Sequence, residues 1–300
     1  MNSTSITENT SSIKSTITDV KQLVKVGLSL SVVFSSVAGY LLAVETVDYA
    51  TLTLLAFGGF FMVGASNAFN QIIEIDTDAL MQRTKTRPLP TGRMSLNTAL
   101  TIAILLAILG LGILYYINAK SALFGAISIF LYTSAYTPLK SVTPLTVFVG
   151  AIPGAIPFML GWVAATNQFG IEAGILFMIQ FFWQFPHFWS IGWLQDEEYK
   201  KAGFNMLPMN TKDTGAVKQI IFYTVIMIIV SIAPVLQVTG AFYIYPATAV
   251  IVALLGCFML YYAVQLYKTL HNTEARKLML ASVLYITMVQ VIYVIDKFLH

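Results

Sequence analysis

A chain of 300 residues that is 57% hydrophobic and 10% charged, with a mean hydropathy of +0.75, is not a soluble globular protein. Runs of about 20 apolar residues, enough to cross roughly 30 Å of hydrocarbon, recur along it, so the fold class is all-α, a polytopic membrane protein. The pattern lacks the short alternating segments of a membrane β-barrel, and a single cysteine, Cys257, excludes disulfides and thiolate metal sites.

In chain order, residues 1–23 read as a disordered tail: ten of the first 20 are Ser or Thr, with no apolar core of the kind a secretory signal needs. Residues 24–300 read as one transmembrane domain. Nine spans are predicted, at about 24–43, 51–73, 98–117, 121–139, 144–165, 172–194, 218–238, 242–266 and 278–296. With that count, all 17 Lys and Arg residues except Lys120 and Lys297 fall on one side. Such an excess marks the cytoplasmic face, so the N-terminus and the two longest polar loops, about 74–97 and 195–217, are expected there. These loops follow spans two and six, a spacing that suggests an internal duplication of a four-helix unit.

The segment closing the second span, NQIIEIDTDALMQRTKTRPLPTGR, concentrates polar chemistry at the end of an apolar run. A carboxylate near the bilayer core costs roughly 2.5–3.5 kcal/mol on insertion scales, so acids there need compensation. Asn70, Glu74 and Asp78 are spaced i, i+4, i+8 and stack on one face of a continuing helix. Hard oxygen donors in that arrangement suit Mg²⁺ shared with substrate phosphate oxygens. Asp76 points elsewhere and is the weaker candidate. Arg83 and Arg87, with Lys85, are candidate phosphate ligands, the arginines by their planar fork. The plainer alternative is a helix end whose charges only set topology, a role that acids in a positive-inside loop fill poorly.

A second constellation, WQFPHFWSIGWLQDEEYKKAGFNMLP, closes the sixth span with Asp196, Glu197 and Glu198, then Tyr199, Lys200 and Lys201. On the shared face these acids could supply a second metal site, or form a solvated charge run. His187 lies eleven residues before Glu198, roughly 16 Å deeper along a regular helix. It is open to three readings: packing, iron ligation or proton transfer. Pro144, Pro153 and Pro157, with Gly150, Gly154 and Gly161, are expected to interrupt the fifth span, and Lys140 before it is a further phosphate candidate or a topology charge.

Together these segments resemble the UbiA superfamily of intramembrane prenyltransferases, from about residue 24 onwards. Asn70, Glu74 and Asp78 are similar to its first aspartate-rich motif, with Glu in place of the middle Asp. The RTKTRPLPTGR stretch, the Trp183-Gln184-x-Pro186-His187-Phe188 element and the run from Glu198 to Pro208 resemble its haem-prenylating branch. The resemblance implies a UbiA-like bundle around a central cavity. It implies transfer of farnesyl from farnesyl diphosphate to a vinyl group of haem B, with water added and diphosphate released. It further implies Mg²⁺, with Asn70, Glu74, Asp78 and Glu198 as metal ligands. Arg83, Lys85, Arg87, Lys140, Tyr199 and Lys201 would bind substrate, and His187 and Glu197 would be catalytic. The implied setting is a bacterial cytoplasmic membrane, with the lipid bilayer, both substrates and a following haem A synthase as partners and no nucleic acid. In place of a second Asp-x-x-x-Asp, Asp196, Glu197 and Glu198 stand adjacent, so which of them would meet metal stays open.

Two other readings are carried. A quinone-ring prenyltransferase of the same superfamily has no need for His187 in its WQFPHF setting. A secondary anion transporter would place its charges near the bilayer midplane, whereas these gather at the cytoplasmic span ends.

Overall fold

A computed structural model describes residues 15–300, and helices build all of its regular structure. Helix α1 covers 15–23, and a left-handed Lys25 turns the chain into α2 (Val26–Ala43). Then follow α3 (Tyr49–Ile73), the short α4 (Ile75–Leu80), α5 (Leu96–Ile117) and α6 (Ala119–Leu139). The rest comprises α7 (Thr146–Thr166), α8 (Ile171–Leu194), the short α9 (Asp196–Lys201), α10 (Thr214–Ile232), α11 (Pro246–Thr269) and α12 (Asn272–Leu299). The disordered tail expected over 1–23 needs correction. Residues 1–14 lie outside the described residues, but 15–23 are helical and dock through buried Leu23 and Asp19.

Eight of these helices are long and apolar enough to cross a membrane, which makes this an integral multi-pass protein. The ninth expected span, α8, has the length, at 24 residues. Its hydropathy is diluted by Gln180, Gln184, Pro186 and His187, residues a lipid-facing helix would not carry. It can carry them because it packs on α7, α10 and α12 inside the bundle.

Local chemistry sets the helix starts. Asp48, Ser95, Asn118 and Asp213 cap α3, α5, α6 and α10 by accepting from backbone N–H groups in the first turn, and Pro246 opens α11 at the position where its missing N–H is harmless. Helix α7 is the central post: 72% of its most apolar 18-residue stretch is buried, against 17% for the outer α5 and α6. Glycine makes its contact with α2 possible. A Cβ on Gly39 would stand 2.0 Å from the Phe158 carbonyl oxygen, and one on Gly161 2.0 Å from that of Ser36. Pro144 lies before α7, while Pro153 and Pro157 sit within one continuous helix, so the expected interruption of the fifth span is not found.

The two ends of the bundle differ. At one end the breaks after α3 and α8 gather acids, arginines and lysines. At the other, Lys297 pairs with Glu45, and Lys120 Nζ donates to the Asn167 carbonyl at 2.7 Å.

Candidate active site

Helix α3 closes at Glu74, whose φ of −96° and ψ of 14° interrupt the helix for one residue before α4. The i to i+4 ladder nevertheless continues: Glu74 N–H donates to the Asn70 carbonyl at 3.0 Å, and Asp78 N–H to that of Glu74 at 2.7 Å. The three side chains therefore share a face, and all three are buried, Asp78 completely. Each is met by a cation. Lys140 Nζ donates to Glu74 Oε1 at 2.7 Å, Arg87 Nη1 to Asp78 Oδ2 at 2.5 Å, and Lys25 Nζ to Asn70 Oδ1 at 3.5 Å. Asn70 Nδ2 donates in turn to Thr137 Oγ1 at 3.3 Å.

Burial raises the Asp78 carboxyl above its ordinary value, with Arg87 opposing the shift. Its second oxygen, Oδ1, is buried and has no hydrogen-bond partner among the described residues. A buried unpaired carboxylate oxygen is costly, and a cation is one partner that would satisfy it.

Aromatic rings back the cluster. Lys140 Nζ lies 4.6 Å from the centre of the Tyr136 ring and 5.7 Å from that of Phe204. Tyr136 belongs to a π-helical stretch of α6, Leu131–Tyr136, which turns Tyr136 and Thr137 toward the site. Gly150 leaves room for the ring, since a Cβ there would lie 2.4 Å from it. About 18 Å along α3 from Glu74, an apolar cleft is lined by Val33, Gly59, Met62, Leu114, Ile156 and Leu160.

The remaining cations of the first segment separate by role. Arg83 Nη2 donates to the Tyr199 hydroxyl at 2.9 Å and its guanidinium lies 4.9 Å from that ring. Arg93 binds Asp19 at 2.9 Å and Gln22 at 3.2 Å, which ties α1 to the loop. Lys85 and Asp76 are exposed.

The second segment repeats the backbone device with a different outcome. Gln195, at φ −105° and ψ 12°, breaks α8 before α9 as Glu74 breaks α3 before α4. Its acids then take local partners: Asp196 binds Lys200 at 2.8 Å and Glu198 Oε1 binds Lys201 at 2.7 Å. Glu198 Oε2 accepts from the backbone N–H of Gln82 at 2.6 Å, joining the two loops. The Lys201 and Gln82 donors hold the Glu198 carboxyl below the usual carboxylate range. Glu197 is exposed. Among the described residues no three His, Cys, Asp or Glu side chains lie close enough to form a metal centre by themselves, in either loop. A hard divalent cation needs only one or two carboxylates when phosphate and water complete its shell, and the open Asp78 Oδ1 beside Glu74 and Asn70 fits that demand.

His187 lies in α8, half-buried, stacked on Trp183 with ring centroids 4.6 Å apart and planes 18° from parallel. Its Nδ1 is 2.8 Å from Ser282 Oγ on α12. Sequence reasoning missed Lys25, Thr137, Tyr136 and Ser282 as members of these clusters. Of these, Lys25 alone carries a signal in sequence, a charge against the edge of a span, and that signal is the same as a topology charge's.

The UbiA prenyltransferase family model matches residues 32–288. A protoheme IX farnesyltransferase of Flavobacterium psychrophilum is 61% identical over 291 residues, covering 96% of this chain and 97% of its own. In structure, the fold is similar to that solved for digeranylgeranylglyceryl phosphate synthase, at a TM-score of 0.78 and 21% identity over 94% of this chain and 98% of that one. A UbiA homolog from Archaeoglobus fulgidus bound to GPP and Mg2+ gives a TM-score of 0.65 at 17% identity, covering 92% and 99%. The chain belongs to the UbiA prenyltransferase family, in the branch of the protoheme IX farnesyltransferases.

Proposed function

We propose that this protein transfers the farnesyl group of farnesyl diphosphate to a vinyl group of haem B, with water adding to give haem O. The observation that carries the reading is the buried stack of Asn70, Glu74 and Asp78 matched by Lys25, Lys140 and Arg87. It stands in a chain 61% identical to a protoheme IX farnesyltransferase along nearly its whole length.

The chemistry asks for three things. The first is departure of diphosphate from the farnesyl C1 carbon, which takes the bonding electron pair with it. Mg²⁺, when bound by Asp78, Glu74 and Asn70, would draw charge from the leaving oxygens; the Archaeoglobus fulgidus homolog bound to GPP and Mg2+ supports that choice. Arg87 and Lys140 neutralise the two carboxylates, and with Mg²⁺ held by those acids both side chains would be available to phosphate oxygens. Arg83, anchored on Tyr199, presents its remaining N–H groups beside them.

The second need is a dry, electron-rich wall for the allylic cation. Tyr136 and Tyr132, 5.1 Å apart, stand next to Lys140, and the apolar cleft deeper in the bundle takes the isoprenoid tail. The third is a fixed vinyl group. Its π electrons form the new bond to farnesyl C1, and water closes the adjacent carbocation and releases a proton. His187 holds the haem through its iron. The charged end, with the N-terminus and both active-site loops, faces the cytoplasm in this reading, in keeping with the lysine and arginine distribution.

The test is direct. Purified protein incubated with haem B, farnesyl diphosphate and Mg²⁺ should yield haem O by mass, and chelation with EDTA should stop it. Turnover of a quinone-type aromatic acceptor, with haem B untouched, would overturn the assignment.

A further inference from the structure

The setting of His187 fixes more than its position. Ser282 Oγ lies 2.6 Å from the Met279 carbonyl oxygen, and a carbonyl can only accept. If the serine proton goes there, the serine oxygen accepts from His187 Nδ1 at 2.8 Å, so Nδ1 carries the imidazole proton. The opposite assignment, serine donating to Nδ1, moves the imidazole proton to Nε2. It would also leave the Ser282 hydroxyl oxygen and the Met279 carbonyl oxygen 2.6 Å apart with no proton between them, a repulsive contact. Only the first arrangement puts a proton in both short contacts. Nε2 then holds its lone pair.

The ring plane is fixed as well. Trp183 stacks on the imidazole, and its own Nε1 donates to the Ser282 carbonyl at 2.6 Å. One residue of α12 thus holds the stacking indole by its carbonyl and the imidazole by its hydroxyl. An imidazole whose Nδ1–H is engaged and whose Nε2 is unprotonated is the usual state of a metal-ligating histidine.

We propose that Ser282 is a positioning residue for haem: it sets His187 as the Nδ1–H tautomer and keeps the Nε2 lone pair available to the haem iron. This rests on the reading of His187 as the iron ligand, and the experiment separates the two. Ferric and ferrous haem B are titrated into the purified full-length protein, with absorption for affinity and resonance Raman for the ferrous iron–histidine band. Farnesyl diphosphate binding with Mg²⁺ serves as the folding control. Ser282→Ala should bind haem about tenfold more weakly, the loss typical when a ligand's outer hydrogen bond is removed, with a shifted or broadened band. Ser282→Thr, which restores a hydroxyl, should return both toward the parent. If the alanine variant loses farnesyl diphosphate binding and so is unfolded, Ser282→Cys decides, since sulfur is a weak acceptor in nearly the same volume. A folded Ser282→Ala or Ser282→Cys protein with parental affinity and band overturns the proposal. His187→Ala tests the underlying reading: persistence of an iron–histidine band there removes His187 as the ligand, whatever Ser282 does.

Discussion

Two loops of this protein are built on the same plan and do different work. In residues 70–93 and 195–208 a long helix breaks at one residue of nearly identical geometry, and a six-residue helix rich in acids follows. In the first loop Glu74 and Asp78 are buried and neutralised by cations brought from 66 and 9 residues away in sequence, and only Asp76 is exposed. In the second the acids are partly or fully exposed and paired with lysines three and four residues on. Burial separates the two. A carboxylate withdrawn from water must be matched by a partner the fold delivers, whereas a solvated i, i+4 pair contributes only tenths of a kcal/mol. The second loop instead steadies the first, through Glu198 on the Gln82 N–H and Tyr199 on Arg83.

Asp78 should mark that contrast most sharply. Asp78→Ala is expected to lower turnover by at least about a hundredfold, the scale of losing one preorganised electrostatic contact in a dry site. Glu74→Ala should behave alike and Glu74→Asp more mildly, as measured by haem O formation against Mg²⁺ concentration. Full Mg²⁺-dependent activity in both alanine variants would remove the metal assignment.

Lys140→Met probes stability at the same place. It strands the Glu74 carboxylate in a buried setting, where removing one partner of an ion pair costs roughly 3–5 kcal/mol. The expected result is a lowered unfolding midpoint in detergent, partly recovered by Glu74→Gln in the same chain. Equal stability of the single variant and the parent would mean that Glu74 is hydrated.

Arg83→Lys and Arg87→Lys keep the charge and lose the planar fork. Each should weaken farnesyl diphosphate binding by about tenfold, the value of one charge-assisted hydrogen bond. Membrane orientation, read by cysteine labelling from each side, should stay unchanged. Parental kinetics would reduce both arginines to topology markers.

Glu198→Ala is the smallest effect and the sharpest test of the comparison. Losing the link to Gln82 should reduce turnover only about threefold, and Glu197→Ala should do nothing measurable. If Glu198→Ala were as damaging as Asp78→Ala, the second loop would hold metal too, and the two loops would share one function.

Much of this was legible in the order of residues. Span length and hydropathy gave eight helices outright, and α8 was foreseen by its length. Spacing alone put Asn70, Glu74 and Asp78 on one face, and the α-helical ladder kept them there through the break at Glu74. Periodicity is a local property, fixed by 3.6 residues per turn whatever the surroundings. The helical docking of residues 15–23 was not legible, because it depends on Arg93 reaching back 74 residues to Asp19.

Tertiary structure alone decided which charges matter. Lys25, Lys85, Arg93 and Lys140 are the same kind of signal in sequence, cations near span ends. The fold sends Lys25 and Lys140 into the acid cluster, Arg93 to α1, and Lys85 to the surface. It also sets His187 against Ser282, 95 residues away, and leaves one oxygen of Asp78 without a partner. A residue's chemistry is written in the sequence, but its electrostatic value depends on the water removed around it and the charges brought near. Those are properties of how helices pack.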